Sequence, residues 1–356
     1  MKKIGLKLSA VLLATSFALA GCTGGKTANS TEKKDGEKLK IYTSFYPMYD
    51  FAKKIGGDKV EVTNLVPAGT EPHDWEPSAK DLAKISEADL LVYSGAGMES
   101  WIEKLDETTK DSKLVKVEAS HGVDLIKSEH HHDHEDAHDH EDAHDHEDAH
   151  EHEDEHKDED KDAKEENHEH DHEDAHEHHH HGAYDPHVWL APQNAKIEMK
   201  NIKDALVKAD AANKDYYEKN FETYSKKIDE LDNKFLTSLK NTKSKNIVVS
   251  HEAFAYLCKA YGIKQIGIEG LSPDSEPDAA RMAEVTKFAK ENNVKYIFFE
   301  ELVSPKVSET IAKEVGAKTA VLNPLEGLSE DQLKAGEDYF SIMESNLKVL
   351  LEALNA

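Results

Sequence analysis

From Glu129 to His181 the chain holds 25 Asp/Glu, 19 His and 3 Lys, and scattered alanines are almost its only apolar residues. Such a segment cannot bury a core, and its like charges repel, so it is expected to stay disordered. Whatever the chain folds into has to accept a long excursion between two of its elements. The tract also matches H-E-x-x-H seven times, starting at His134, His140, His146, His152, His168, His172 and His176. That pattern puts two histidines one helical turn apart, as on a zinc-protease helix. A helix of that kind needs an apolar face against a core, and the repeat has none. The matches are those that any His/Glu-rich repeat must produce.

What the tract does imply is weak, multi-site metal binding. It would run through His130, His131, His132, His134, His138, His140, His144, His146, His150, His152, His156, His168, His170, His172, His176, His178, His179, His180 and His181. The acidity is local too. The tract carries −22 of the formal net charge of −28, which leaves −6 for the remainder. The acidity argues against nucleic acid as a partner, because phosphate binding needs clustered Lys/Arg.

The first residues read as a targeting segment. Lys2, Lys3 and Lys7 precede the apolar run "LSAVLLATSFALA", which is shorter than the roughly 20 residues a membrane-spanning helix needs. "LAGC", ending at Cys22, resembles a bacterial lipobox, whose cysteine is lipid-modified and becomes the first mature residue. Residues 1–21 are thus expected to be a lipoprotein signal peptide and 22–37 a flexible tether. With Cys22 lipidated, only Cys258 is left and no intramolecular disulfide can form. Cys258 sits on the apolar side of a helical pattern and is expected to be a buried structural thiol.

Beyond the tether, strands alternate with helices, the signature of βαβ units and a parallel sheet. "KLKIYTS", "KVEVTNLVP", "ADLLVYSG" and "KLVKVEA" are strands of a first series. "NIVVS", "IKQIGIEG", "VKYIFFEE" and "AKTAVLNP" are strands of a second, and Asp331 to Leu354 reads as one final helix. Between the series, Tyr217, Phe221, Tyr224, Ile228, Leu231 and Phe235 recur at helical spacing and predict one amphipathic helix over about 212–239. Its length is roughly 42 Å, enough to join two lobes. The expected fold is α/β: two lobes with mainly parallel sheets joined by one long backbone helix. The first lobe would take residues 38–208, with a disordered insertion at 121–182. The link would take 209–241 and the second lobe 242–356. Neither series carries a Walker A or dinucleotide-binding glycine pattern.

Four histidines lie outside the tract: His73, His121, His187 and His251. His73 in "PAGTEPHDWEP" follows a strand, His187 in "YDPHVWLAP" lies in a turn opening a helix, and His251 in "IVVSHEAF" joins a strand to a helix. Ligands of open α/β sheets bind beyond the carboxyl ends of strands. Pro72 and Pro77 bracket His73, while Pro186 and Pro192 bracket the His187 segment. Stiff loops suit donors that must converge on one ion. Trp75 and Trp189, each two residues after its histidine, can exclude water. His121 lacks this setting and reads as a loop residue. A closed tetrahedral site needs a fourth donor. Glu300, Glu301 and Glu326 are candidates, and composition does not choose among them.

With "PHDWEP", "DPHVWL", "SHEAFAYL", "FFEELVSPK" and "LNPLEGL" in this order, the sequence resembles the metal-binding lipoproteins that serve ABC importers, in their zinc branch. The resemblance runs from about Lys38 to Ala356 and is broken by the tract. It implies two α/β lobes around a metal held by His73, His187 and His251. The fourth position varies in the family. Some members place an aspartate where this chain has Asn323, and others a glutamate at the position of Glu326. Glu326 is therefore the expected fourth ligand, with Glu300 or a water as alternatives. The manganese branch replaces one histidine by a carboxylate, so three imidazoles favour Zn²⁺ over Mn²⁺.

The implied function is an extracytoplasmic receptor, lipid-anchored to a bacterial cell membrane, that captures Zn²⁺ and delivers it to a permease. Its expected partners are that permease and its ATPase, with no nucleic acid, and the chain is expected to be monomeric. No catalytic residue is expected. A zinc hydrolase is the first rival, but "HEAFA" has alanine at position 255, so the folded part holds no complete H-E-x-x-H. A metal-binding adhesin or structural lipoprotein is the second.

Overall fold

The computed structural model describes residues 38–110, 112–128, 183–273 and 277–356. The leader, the tether with Cys22, and the nineteen histidines of the tract lie outside the described residues.

Among the described residues the first lobe is built from the strands and α-helices β1 (Leu39–Thr43), α1 (Tyr46–Gly56), β2 (Val60–Asn64), α2 (Ala79–Ser86), β3 (Leu90–Tyr93), α3 (Ile102–Thr109) and β4 (Val115–Glu118). Its sheet is parallel throughout, in the order β2-β1-β3-β4. Two helices follow, α4 (Pro192–Ala209) and α5 (Lys214–Leu239). The second lobe repeats the pattern with β5 (Asn246–Val249), α6 (Ala255–Tyr261), β6 (Lys264–Gly267), α7 (Ala279–Glu291), β7 (Tyr296–Phe299), α8 (Lys306–Val315) and β8 (Lys318–Val321). Its order is β6-β5-β7-β8, again parallel. The chain ends in α9 (Glu330–Ala335) and α10 (Tyr339–Leu354). In each sheet the chain moves outward to one side of the first strand and then to the other. This opens a crevice beyond the carboxyl ends of β1 and β3, and of β5 and β7.

Sequence explains the elements. β3, "LLVY", buries its first three residues, as a parallel strand covered on both faces should. Proline opens α4, where its missing N–H costs nothing. Ser78 and Asp81 form a capping box at α2. α5 buries Tyr217, Ile228, Leu231, Phe235 and Leu239, while Phe221 and Tyr224 are partly buried. Its 26 residues span roughly 39 Å. It lies along α1 and α4 and reaches α6 and α10. One apolar cluster therefore takes in both sheets, from Leu39 to Leu354. Cys258 is buried in it, on α6, and burial pushes its thiol up. Among the described residues no helix is long and apolar enough to cross a membrane.

Four details differ from the sequence reading. The final helix is two. Gly336, at φ 78°, ends α9, and Asp338 caps α10 by accepting the Ser341 N–H. α5 begins at Lys214 because Asp210, at φ −143°, and a 3-10 turn over Ala211–Asn213 separate it from α4. α6 begins at Ala255, which leaves His251 in a turn and not in a helix. Residues 121–128, assigned to the insertion, are held to the fold. Lys127 pairs antiparallel with Tyr184, and the Asp185 N–H donates to the Ile126 carbonyl at 2.8 Å.

Candidate metal centre

Four loops converge at the crevice. His73 lies in the loop after β2, which ends at Asn64. Its backbone N–H donates to the Glu71 carboxylate at 3.0 Å, and the Gly69 N–H donates across the lobes to the Leu328 carbonyl at 3.0 Å. Half-buried Trp75 anchors this loop against Trp101, their rings 6.0 Å apart. His251 stands two residues after β5, and its N–H faces Glu300 at 3.3 Å. Glu326 lies in the loop after β8. His187 does not follow a sheet strand. It opens a 3-10 turn, Val188–Leu190, in the crossover between the lobes. Trp189, fully buried, donates its indole N–H to the Pro324 carbonyl at 2.8 Å and so ties the His187 loop to the Glu326 loop.

The four side chains present one donor each. Glu326 Oε1 is 3.2 Å from His73 Nε2 and 3.1 Å from both His187 Nε2 and His251 Nε2. His187 Nε2 is 3.2 Å from each of the other two Nε2 atoms, and all four donors lie within 4.8 Å of one another. A tetrahedral zinc ion with bonds near 2.0 Å needs donors about 3.3 Å apart. Five of the six separations already match that edge. The cage is enclosed: His187 and His251 are fully buried, Glu326 is 3% exposed and His73 is partly buried.

Buried carboxylates orient two of the imidazoles. Asp185 Oδ1 is 2.8 Å from His187 Nδ1, and Glu300 Oε1 is 2.7 Å from His251 Nδ1. With Nδ1–H donating outward, each Nε2 lone pair points into the cage. Charge follows the same geometry. Burial opposes protonation of His251, yet Glu300 and Glu326 hold its imidazole well above the usual value. Asp185 and Glu326 raise His187 in the same way against its burial. Burial lowers His73, with Glu326 only partly offsetting it. Burial would raise Glu326, but the imidazoles keep its carboxyl well below the carboxylate range. The centre can therefore hold a divalent cation with three nitrogens and one oxygen.

Of the residues singled out from sequence, His73, His187, His251 and Glu326 come together. Glu300 lies on His251 Nδ1, outside the four donors. Glu301 takes the side-chain amides of Asn323 and Gln332. His121 is exposed, and its carbonyl accepts from Asn201. Sequence reasoning overlooked Asp185, although an acid two residues before a histidine is a readable sign of an imidazole partner. It also overlooked Asn346, a buried amide on the apolar face of α10.

Residues 41–353 match the family "Zinc-uptake complex component A periplasmic". The chain is 44% identical over 344 residues to the "High-affinity zinc uptake system protein ZnuA" of Bacillus subtilis, covering 97% of this chain and 96% of that one. It is 41% identical to the "Zinc-binding lipoprotein AdcA" of Streptococcus pneumoniae, covering 98% of this chain but spanning only 60% of that protein. The crystal structure of the Zn(II)-bound ZnuA-like domain of Streptococcus pneumoniae AdcA superposes with a TM-score of 0.69 at 38% identity, over 90% of this chain and 100% of that domain.

Proposed function

The chain belongs to the zinc-uptake complex component A family, and from that premise we propose that it is the extracytoplasmic zinc receptor of an ABC importer. It captures Zn²⁺ in the crevice between its lobes and delivers the ion to a membrane permease driven by a separate ATPase. It is a binding protein and not an enzyme. In this reading His73, His187, His251 and Glu326 are the four ligands, and Cys22 carries a lipid anchor on the outer face of the cell membrane. The division into lobes at 38–208 and 242–356, with the link at 209–241, belongs to the same proposal.

One observation carries it: four donor atoms from four separate loops, with five of their six separations matching the edges of a zinc tetrahedron. Three imidazoles and a single carboxylate suit Zn²⁺ better than Mn²⁺, which prefers oxygen-rich sites. Four protein donors leave no open position for an activated water, which argues against the hydrolase reading. A purely structural or adhesive role would not by itself account for four donors converging from four loops. The test is a zinc-loaded crystal structure with anomalous scattering at the zinc edge, joined to growth under zinc starvation. The expected result is one ion on these four residues and a growth defect when the gene is deleted. An ion on other residues, or unimpaired growth, would refute the assignment.

A further inference from the structure

Glu326 reaches the imidazoles from a strained corner. Leu325, just before it, has φ 60°, a left-handed conformation that favours glycine. Leu325 is nonetheless fully buried and cannot relax outward. Asn323 Oδ1 accepts the Leu325 N–H at 2.7 Å and braces the corner from within. Asn323 is in turn gripped from α10. Its backbone N–H donates to Asn346 Oδ1 at 2.9 Å, and its carbonyl accepts from Asn346 Nδ2 at 2.7 Å.

Asn346 is a costly residue for its place. It is buried on the helix face that also carries Ile342, Met343, Leu347 and Leu350. A buried amide is tolerated only when both its donor and its acceptor are paired. Here both are spent on the backbone of one residue, three positions before a metal donor. The far side of the corner is equally confined. Pro324 is held by the Trp189 indole, and a Cβ on Gly327 would meet Leu302 Cδ1 at 3.2 Å and the Thr70 carbonyl at 3.3 Å.

We propose that Asn346, acting through Asn323, is a positioning residue that sets the preference for zinc. It does so by holding Glu326 as a fixed, one-oxygen donor. Neither asparagine is among the four donors. A clamped carboxylate closes a four-coordinate cage, which suits Zn²⁺. A carboxylate free to swing could bind through both oxygens or admit water, which suits larger, oxygen-seeking ions such as Mn²⁺. The inference rests on the reading that these four residues hold the transported ion.

The test uses the whole mature chain, with Zn²⁺ and Mn²⁺ affinities from chelator competition and the absorption spectrum of the first bound Co²⁺. Asn346→Leu should weaken zinc by about 10–100-fold, as loss of a residue supporting a ligand does. Manganese should weaken far less, so the zinc/manganese ratio falls. The Co²⁺ spectrum should move toward that of Glu326→Gln. Asn323→Ser, which keeps an acceptor for the Leu325 N–H, should retain more zinc affinity than Asn323→Ala. This pair carries the test if Asn346→Leu does not fold. An unchanged ratio and Co²⁺ spectrum in folded Asn346→Leu would overturn the clamp, as would equal weakening of both metals. If Glu326→Gln itself left zinc affinity and the Co²⁺ spectrum unchanged, the assignment of the fourth ligand would fail instead.

Discussion

Replacing Asp185 by asparagine should weaken zinc binding by an amount that depends on pH in a specific direction. Asp185 is buried, and its Oδ1 lies 2.8 Å from both the backbone nitrogen and Nδ1 of His187. Asparagine keeps the shape and one oxygen able to accept both bonds, so the change removes mainly charge. Loss of such an outer partner costs 10–100-fold in metal affinity, and with the bonds kept the low end applies, about 10-fold or 1.4 kcal/mol. The same carboxylate raises His187 against its burial, so the variant imidazole holds its proton less firmly. Zinc binds only neutral imidazole. Below the His187 value the original protein gives up a proton to bind, and the variant gives up less. The gap between them should therefore be widest near about pH 8 and shrink toward about pH 6, the range where imidazole titrates. Competition against a fluorescent chelator at the two pH values measures it. No gap at the higher pH, or a gap that widens on acidification, would refute the account of Asp185.

Zinc binding at pH 7 should release protons, because His251 and His187 are raised in the metal-free protein. Calorimetry in buffers of differing ionisation heat counts them, and a heat independent of buffer would contradict the assignment. The stability of the metal-free protein should follow suit. The raised His251 contributes stability that is complete below its unfolded value, about 6.5, and is lost as pH rises through the higher folded value. The depressed Glu326 contributes stability that is present above its unfolded value and lost as pH falls through the lower folded one. Thermal unfolding without metal should therefore be highest between the two and decline on the alkaline side, a decline that zinc-loaded protein lacks. Deleting residues 129–181 should leave one tight zinc and remove several weaker ones in a calorimetric titration; loss of the tight site would mean that the tract supplies it. Trp189→Phe strands the buried Pro324 carbonyl and should cost about 1–3 kcal/mol in chemical unfolding.

The two sheets were legible because short buried runs alternate with helical patterns, and parallel order follows from that alternation. The three histidines were legible because each stands beside a stiffening proline or at a strand end, where side chains must converge. His187 shows the limit of that logic. It reached the same crevice from a crossover, a placement set by the long-range contacts of Trp189 and not by local pattern. The choice of Glu326 over Glu300 rested on resemblance alone. Both follow strands of the second sheet, and only packing turns one toward Nε2 of His251 and the other toward Nδ1. The break at Gly336 was readable. The glycine and the Asp338–Ser341 cap stand in plain sequence, but apolar residues on both sides masked them.

The same contacts decide how a bound ion could leave. Two lobes usually move against each other unless the interface is large and apolar. Here it is apolar and continuous. Phe51 of the first lobe packs edge-on against Tyr339 of the second at 5.0 Å, beside Trp189, which itself packs on Phe45 at 4.8 Å. The Tyr339 hydroxyl donates to the Trp189 carbonyl at 2.8 Å, and α5 lies along both lobes. Pulling the lobes apart would break this core, so the motion that frees a ligand is cheaper in a loop. Three loops are poorly placed to move. His187 is tied through Trp189, Glu326 through Asn323 and Pro324, and His251 follows β5 directly. The loop carrying His73 is anchored at Trp75 on Trp101 but open before it: Pro67, Ala68 and Gly69, like Asp74 and Glu76, are exposed. Beside it lies a cavity of about 520 Å³, lined by Pro67 and Ala68 on one side and by Glu326 and Leu328 on the other. The bond from the Gly69 N–H to the Leu328 carbonyl spans that gap. Opening there would expose one imidazole and one face of the cage while the other three donors stay fixed.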